Sequence, residues 1–368
     1  MAVRRIVLRT VAAVVAASVA VAGYLLVHGD FQRWSDDSAL DGACDGLLDR
    51  TVVRDVLGPG AVEVEDGTSG PGPVSCEVRV KDGGTAEIRV LDTAHVGRNQ
   101  DSLPMSSSNE LAVPVGHGWT GLFGAVPDRF GARDLFEAGR EERATTGLVL
   151  ECAGGKSAGS LSVTVRTTLD KSPDDPAVRP EFARIATSTA ARVSKARHCG
   201  ARLGKPVSSL GLPVREDEYE PLGTADGTCA GIPAARGVTI ATETARGGAP
   251  HETCRLGDAD RRTRYVLEAD YGPYARERLR GYEEDSYEDA PNSDTPAHHR
   301  DRDGRMSWTT AACPGGRALF TLHPANGNGP SRRPPSSDAD LAYERAVLKA
   351  FAERSAKARG GCSVPVGP

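Results

Sequence analysis

Apolar residues recur along this chain with two periods, every three or four positions in some stretches and every second position in others. An uncharged run of mostly Ala, Val and Leu over 10–27 comes first, behind Arg4, Arg5 and Arg9. Its 18 residues reach roughly 27 Å as a helix, enough for the hydrocarbon core of a bilayer. Flanking basic residues stay cytoplasmic, so the pattern predicts a single-pass anchor over 1–28 with everything after His28 outside the cell. Ala20-Val21-Ala22 also fits a small-x-small cleavage site. The apolar run continues through Tyr24-Leu25-Leu26-Val27, with Phe31 and Trp34 beyond it, and this favours the anchor over a cleaved signal peptide.

A polar linker at 29–40 follows. Leu47, Leu48, Val52, Val53, Val56 and Leu57 then fall at helical spacing, and Gly58-Pro59-Gly60 stops them. Residues 74–80 and 86–90 alternate apolar and polar on either side of Asp82-Gly83-Gly84, which predicts a β-hairpin. Residues 97–118 show no period, and Trp119-Thr120-Gly121-Leu122-Phe123 reads as a further strand. A second hairpin is predicted from 147–152 and 161–165 around Gly154-Gly155. An amphipathic helix over 181–197 carries Phe182, Ile185, Ala186, Thr189, Ala190 and Val193 on one face. The second half repeats this more loosely, with a short strand at 265–269, a hairpin from 308–313 and 317–322, and a closing helix over 338–357.

Eight cysteines fall on this pattern in two sets of four: Cys44, Cys76, Cys152 and Cys199, then Cys229, Cys254, Cys313 and Cys362. Their surroundings correspond. Asp41-Gly42-Ala43-Cys44-Asp45-Gly46 answers Asp226-Gly227-Thr228-Cys229-Ala230-Gly231, and Cys152-Ala153-Gly154-Gly155 answers Cys313-Pro314-Gly315-Gly316. An even, duplicated cysteine framework implies disulfides and an oxidising compartment. The expected fold class is α+β: a tandem repeat of two disulfide-stapled domains, each an antiparallel sheet with flanking helices, after one transmembrane helix. The boundaries are 41–203 for the first domain, 204–224 for a linker and 225–368 for the second domain. Residues 283–305 of the second domain are dense in charge and poor in aliphatics, and read as a flexible insertion. Four cysteines allow three pairings per domain. Sequential pairing is expected, because it ties each opening segment to the first hairpin and the second hairpin to the closing helix; a Cys44–Cys199 bond between the two helices is the main alternative.

Charge narrows the function classes. Lys and Arg number 45 against 50 Asp and Glu, for a net charge of −5. With no basic stripe interleaved with aromatics, nucleic acid is excluded as a partner.

Cys44-Asp45-Gly46-Leu47-Leu48 through Val56-Leu57-Gly58, followed by Cys76-Glu77-Val78, resembles the opening of small actinobacterial envelope domains of unknown function. Similar domains occur as surface lipoproteins and as extracellular sensor modules of some mycobacterial serine/threonine kinases. The likeness covers about 40 residues and implies an α+β sandwich with a binding or sensing role and no catalytic residues to carry over. The second half departs from it, since Ile232-Pro233 interrupts the corresponding helix.

Candidate chemistry is sparse. Gly155-Lys156-Ser157-Ala158-Gly159 matches the nucleophile-elbow pattern, but that motif needs a strand-to-helix turn and a strand follows here. Gly154-Gly155-Lys156-Ser157 lacks the first glycine of a phosphate-binding loop, since Leu150 stands there. His298-His299-Arg300-Asp301-Arg302-Asp303 reads as a solvated charged loop, and no paired cysteines have metal-ligand spacing. No metal, cofactor or catalytic residue is therefore assigned. The remaining candidates are His117, Trp119 and Phe123, in a Gly-rich aromatic stretch that can lean into a groove and touch a ligand. The expected function is a membrane-anchored extracytoplasmic binding or sensor-like protein that performs no catalysis. Its partner would be a cell-wall or envelope component or another protein. A secreted cell-wall hydrolase or esterase and a structural envelope protein are the alternatives.

Overall fold

The computed structural model describes residues 30–68, 73–94, 96, 103–107, 109–124, 143–153, 159–284, 297–298, 306–325 and 337–363. The predicted anchor over 1–28 lies outside these residues, as do most of the insertion at 283–305 and the Gly154–Ala158 stretch. Among the described residues no helix is long and apolar enough to cross a membrane.

Helix α1 (Asp30–Gly46) breaks near its end, where Ala43 is extended and Cys44 and Asp45 are left-handed. Residues 30–40, expected as a linker, are thus helical, and Leu40 is fully buried in the first core. One apolar side chain per few turns is a weak sequence signal, yet it suffices where a core lies beneath it. Helix α2 (Arg50–Leu57) starts at Asp49, whose carboxylate accepts the N–H groups of Thr51 and Val52, and stops at Gly58, with φ +113. It buries Val53, Val56 and Leu57.

Strands β1 (Val62–Thr68), β2 (Val74–Val80), β3 (Thr85–Asp92), β4 (Glu110–Leu111), β5 (Val113–Pro114), β6 (Gly121–Phe123), β7 (Arg143–Glu151) and β8 (Ser160–Thr168) follow, then helix α3 (Glu181–Ala196). All but β4 form one antiparallel sheet in the order β1-β2-β3-β8-β7-β6-β5. The period-two pattern sets its faces. Val74, Cys76, Val78 and Val80 point into a core closed by α2 and by Phe182, Ile185, Ala186, Ala190 and Val193 of α3. Strand β7 is buried on both sides, which explains its continuous apolar run. Leu148 and Leu150 enter the helix-side core, while Val149 faces a small opposite cluster with Leu122, Leu103, Ala249 and Tyr274.

The second sheet is built from β10 (Glu220–Pro221), β11 (Val238–Glu243), β12 (His251–Asp258), β13 (Thr263–Asp270), β14 (Ala297–His298), β15 (Ser307–Cys313) and β16 (Gly316–Pro324). Its order is β10-β11-β12-β13-β16-β15-β14, so β11-β12-β13-β16-β15 runs as β1-β2-β3-β8-β7 does. Helix α4 (Pro273–Glu284) covers one face, with Ala275 on Trp308 and Leu319. Helix α5 (Asp338–Arg359) covers the other, through Val347, Leu348, Phe351 and Ala352. As Ile232-Pro233 implied, no helix follows Cys229.

All eight cysteines stand in pairs at disulfide distance, and the pairs are the sequential ones: Cys44–Cys76, Cys152–Cys199, Cys229–Cys254 and Cys313–Cys362. The sequence separations correspond between the halves, 32 with 25 and 47 with 49. Loops of this size give each bond about 3–4 kcal/mol on the chain-entropy account.

The connecting segment at 204–224, expected as a linker, is docked. Leu210 is buried in the first core, β9 (Val214–Arg215) pairs with β4, and β10 lies on the edge of β11. Unpaired backbone groups on sheet edges favour such additions, and no side-chain period announces them. Helix α4 joins the two sheets further. Tyr274 donates its hydroxyl to the Pro104 carbonyl at 2.7 Å, Arg276 donates to Ser160 Oγ at 2.9 Å, and Glu277 accepts the N–H of Leu103.

Candidate ligand cleft

Between the sheets lies an open cleft of about 1220 Å³. One wall begins at the turn before β6, where Gly116, His117 and Gly118 are all left-handed, with φ +69, +54 and +82. Glycine makes two of these positions cheap. His117 carries a Cβ penalty, and its Nε2 lies 2.9 Å from the Ser209 carbonyl oxygen, which holds the ring in place. Trp119 follows, and its indole Nε1 donates to the Lys205 carbonyl at 2.8 Å. The ring lies on Gly204 so closely that a Cβ there would stand 2.3 Å from Trp119 Cδ1.

His117 and Trp119 therefore line the cleft as expected, but their polar atoms hold the docked segment. Phe123 departs from the expectation. It is fully buried in the helix-side core and does not line the cleft, because strand alternation turns it away while Leu122 faces the other side.

Three cations and one carboxylate line the cleft among the described residues: Arg202, Lys205, Arg359 and Glu151. Arg202 and Lys205 are exposed, and no described acid pairs with either. Arg359 is held from two sides. Its guanidinium stacks over Tyr271 at 4.8 Å, and its Nη1 donates to the carbonyls of Gly248 and Ala249 at 2.8 and 3.1 Å. Glu151, at the end of β7, reaches across to Gly315, where a Cβ would stand 2.9 Å from Oε1. None of these four was singled out by sequence. Arg202 ends what reads as the first domain and Lys205 begins what reads as a linker, and neither position carries a pattern that marks a shared cleft with Arg359.

A buried polar network fills the second sheet beside the cleft. His251 Nδ1 stands 2.7 Å from Asp270, and its Nε2 stands 3.0 Å from Thr253 Oγ1. Arg278 bonds Glu268 at 3.0 Å and lies 3.5 Å from Asp270. Burial alone would lower the His251 pKa, but Asp270, with Glu268 behind it, holds it above the usual histidine value. Asp270 is held below the usual carboxylate range: burial opposes this, and His251 and Arg278 outweigh burial. Thr253, His251 and Asp270 thus align hydroxyl, imidazole and carboxylate, but all three are buried. Deeper still, Glu252 accepts from Ser355 and pairs with Arg246 at 3.3 Å, while Tyr271 donates to Ser355 Oγ at 2.9 Å.

At the edge of the turn that carries His117, Ser209 Oγ lies 3.4 Å from His117 Nε2. That nitrogen's closer partner is the Ser209 carbonyl, which requires it to carry the proton, so it is not a base for the hydroxyl. Cys44, Asp66 and Cys76 cluster at metal-ligand distance, but the two sulfurs are consumed by their disulfide. Ser157 and residues 299–303 lie outside the described residues, and His298 is placed in β14. No protein-family model, curated protein or solved structure matches this chain.

Proposed function

We propose that this chain is a membrane-anchored extracytoplasmic binding protein made of two copies of one disulfide-stapled α+β domain. In this reading it holds its ligand in the cleft between the sheets and performs no catalysis. The observation that carries the reading is the cleft, walled by both halves and lined by three cations, of which Arg202 and Lys205 pair with no described acid. Four disulfides support an oxidising compartment. The matching strand orders and matching bond positions support duplication. The burial of the Thr253–His251–Asp270 alignment argues for a structural network over a nucleophilic one.

The test uses the full chain in detergent, mixed with isolated cell-envelope material from the source cells, with protease accessibility of intact cells measured in parallel. Retention on the material without release of cleavage products, and digestion of both halves from outside, are expected. Absence of retention, or turnover of peptidoglycan or ester substrates, would overturn the reading.

A further inference from the structure

Resting on that binding reading, we infer that the cleft takes a segment of a linear polyanion, a polymer whose repeating units carry phosphate or carboxylate groups. Size comes first. A volume of about 1220 Å³ exceeds the roughly 300–1,000 Å³ that encloses a single small ligand. The cleft is open rather than closed around a compact guest, so a length of chain fits it.

Sign comes second. The whole protein is acidic, at −5, yet the described lining places three cations against one carboxylate. That carboxylate is partly spoken for, since Glu151 acts electrostatically on Arg276 beside it. Arg202 and Lys205 stand exposed where the first domain passes into the docked segment, three positions apart, with their charged ends free.

Geometry comes third. Arg359 faces them from the second half, clamped by Tyr271 and two carbonyls through Nη1 alone. Fixing the guanidinium in this way lowers the ordering cost of an anion contact by its remaining donors. Part of each wall is bare backbone: a Cβ on Gly116 or Gly248 would meet nothing within 4 Å. A chain can therefore lie against main-chain groups while its anions reach cations on both walls.

The experiment measures binding of the full chain in detergent to three probes: linear polyphosphate, polyglutamate and neutral dextran. Salt-sensitive binding to one or both polyanions and none to dextran is expected, and the two polyanion arms separate phosphate from carboxylate. The double variant Arg202→Ala/Lys205→Ala should weaken the polyanion affinity about 10-fold or more and flatten its salt dependence. Lys349→Ala, on the exposed face of α5, should leave it unchanged. Equal affinity in the double variant, or binding that ignores salt, overturns the polyanion. If envelope material is still retained in that case, the binding reading stands alone; if nothing is retained, both fall.

Discussion

Asp66 and Glu243 occupy the same station in the two sheets. Each stands directly across the first strand pair from a cysteine, Asp66 opposite Cys76 and Glu243 opposite Cys254. Each accepts the backbone N–H of the cysteine that completes the bond, Cys44 at 3.0 Å and Cys229 more closely. The acid thus fixes the main chain at the point where the disulfide needs its partner. The two differ in depth: Asp66 is exposed, whereas Glu243 is buried and also takes the N–H of Gly227 at 2.7 Å.

Removing these acids should therefore cost unequal amounts. Glu243→Ala strands two buried N–H groups, at about 1–3 kcal/mol each, while Asp66→Ala should cost under about 1 kcal/mol because water replaces the carboxylate. Thermal or denaturant unfolding of the two variants measures the difference; equal losses would contradict the burial argument.

Gly204→Val should loosen the docked segment. The new side chain meets the Trp119 ring, which its hydrogen bond to the Lys205 carbonyl holds in place, and overpacking of this kind costs about 1–3 kcal/mol. Limited proteolysis should then cut within 202–211 well before the wild type is cut.

Acidification from pH 8 to pH 6 should stabilise the fold. Burial pushes Glu277 up to about 7, against the opposing hydrogen bond from Leu103. Burial, then the hydrogen bond and charge of Glu243, push Glu220 to about 7 as well. An acid whose folded pKa is raised binds its proton more tightly when folded. Its contribution is full below the unfolded value near 4.5 and is lost as pH rises to 7. His251, raised by Asp270 against burial, adds stability below its unfolded value that is lost as pH climbs through the folded one. All three act in one direction, and they outnumber His323, which burial holds below the usual histidine value and which acts in the other. Melting temperature measured across this range should fall as pH rises, and Glu277→Gln should flatten part of the slope.

Asp270→Ala leaves His251 buried without its nearest counter-charge and Arg278 with Glu268 alone, and should cost about 3–5 kcal/mol. Polyanion binding by the fraction that remains folded should be unchanged, since none of these groups lines the cleft. A selective loss of binding without loss of stability would assign the network a role at the site.

How far the sequence reveals this molecule depends on what each face of an element touches. Strands β2 and β3 have one face turned to the helices and keep a clean alternation, so Val78, Ile88 and Val90 announce them. Strand β12 does not: its His251, Glu252 and Thr253 are buried among polar partners, and burial that is satisfied by hydrogen bonds leaves no apolar period. Helix α4 hides for a related reason. Its narrow stripe of Ala275, Leu279 and Tyr282 is crowded by arginines and glutamates, several of which are spent on contacts to the first half. The aromatic turn was legible because glycines flank His117 and Trp119. The cations of the cleft were not, since Arg202 and Arg359 are distant in sequence and acquire a common purpose only through folding.

The docked segment also sets how the halves of the molecule can bear load. Val214 and Arg215 are laced to the first half, and Glu220 and Pro221 to the second, so only residues 216–219 remain between the fastened points. Four residues stretch to at most about 14 Å. Within them Glu216 and Asp217 turn, and the Glu218 N–H donates to the Arg215 carbonyl at 3.1 Å. A pull applied at the N-terminal end would therefore open this turn first, and strain would pass to the far half only once its slack is spent.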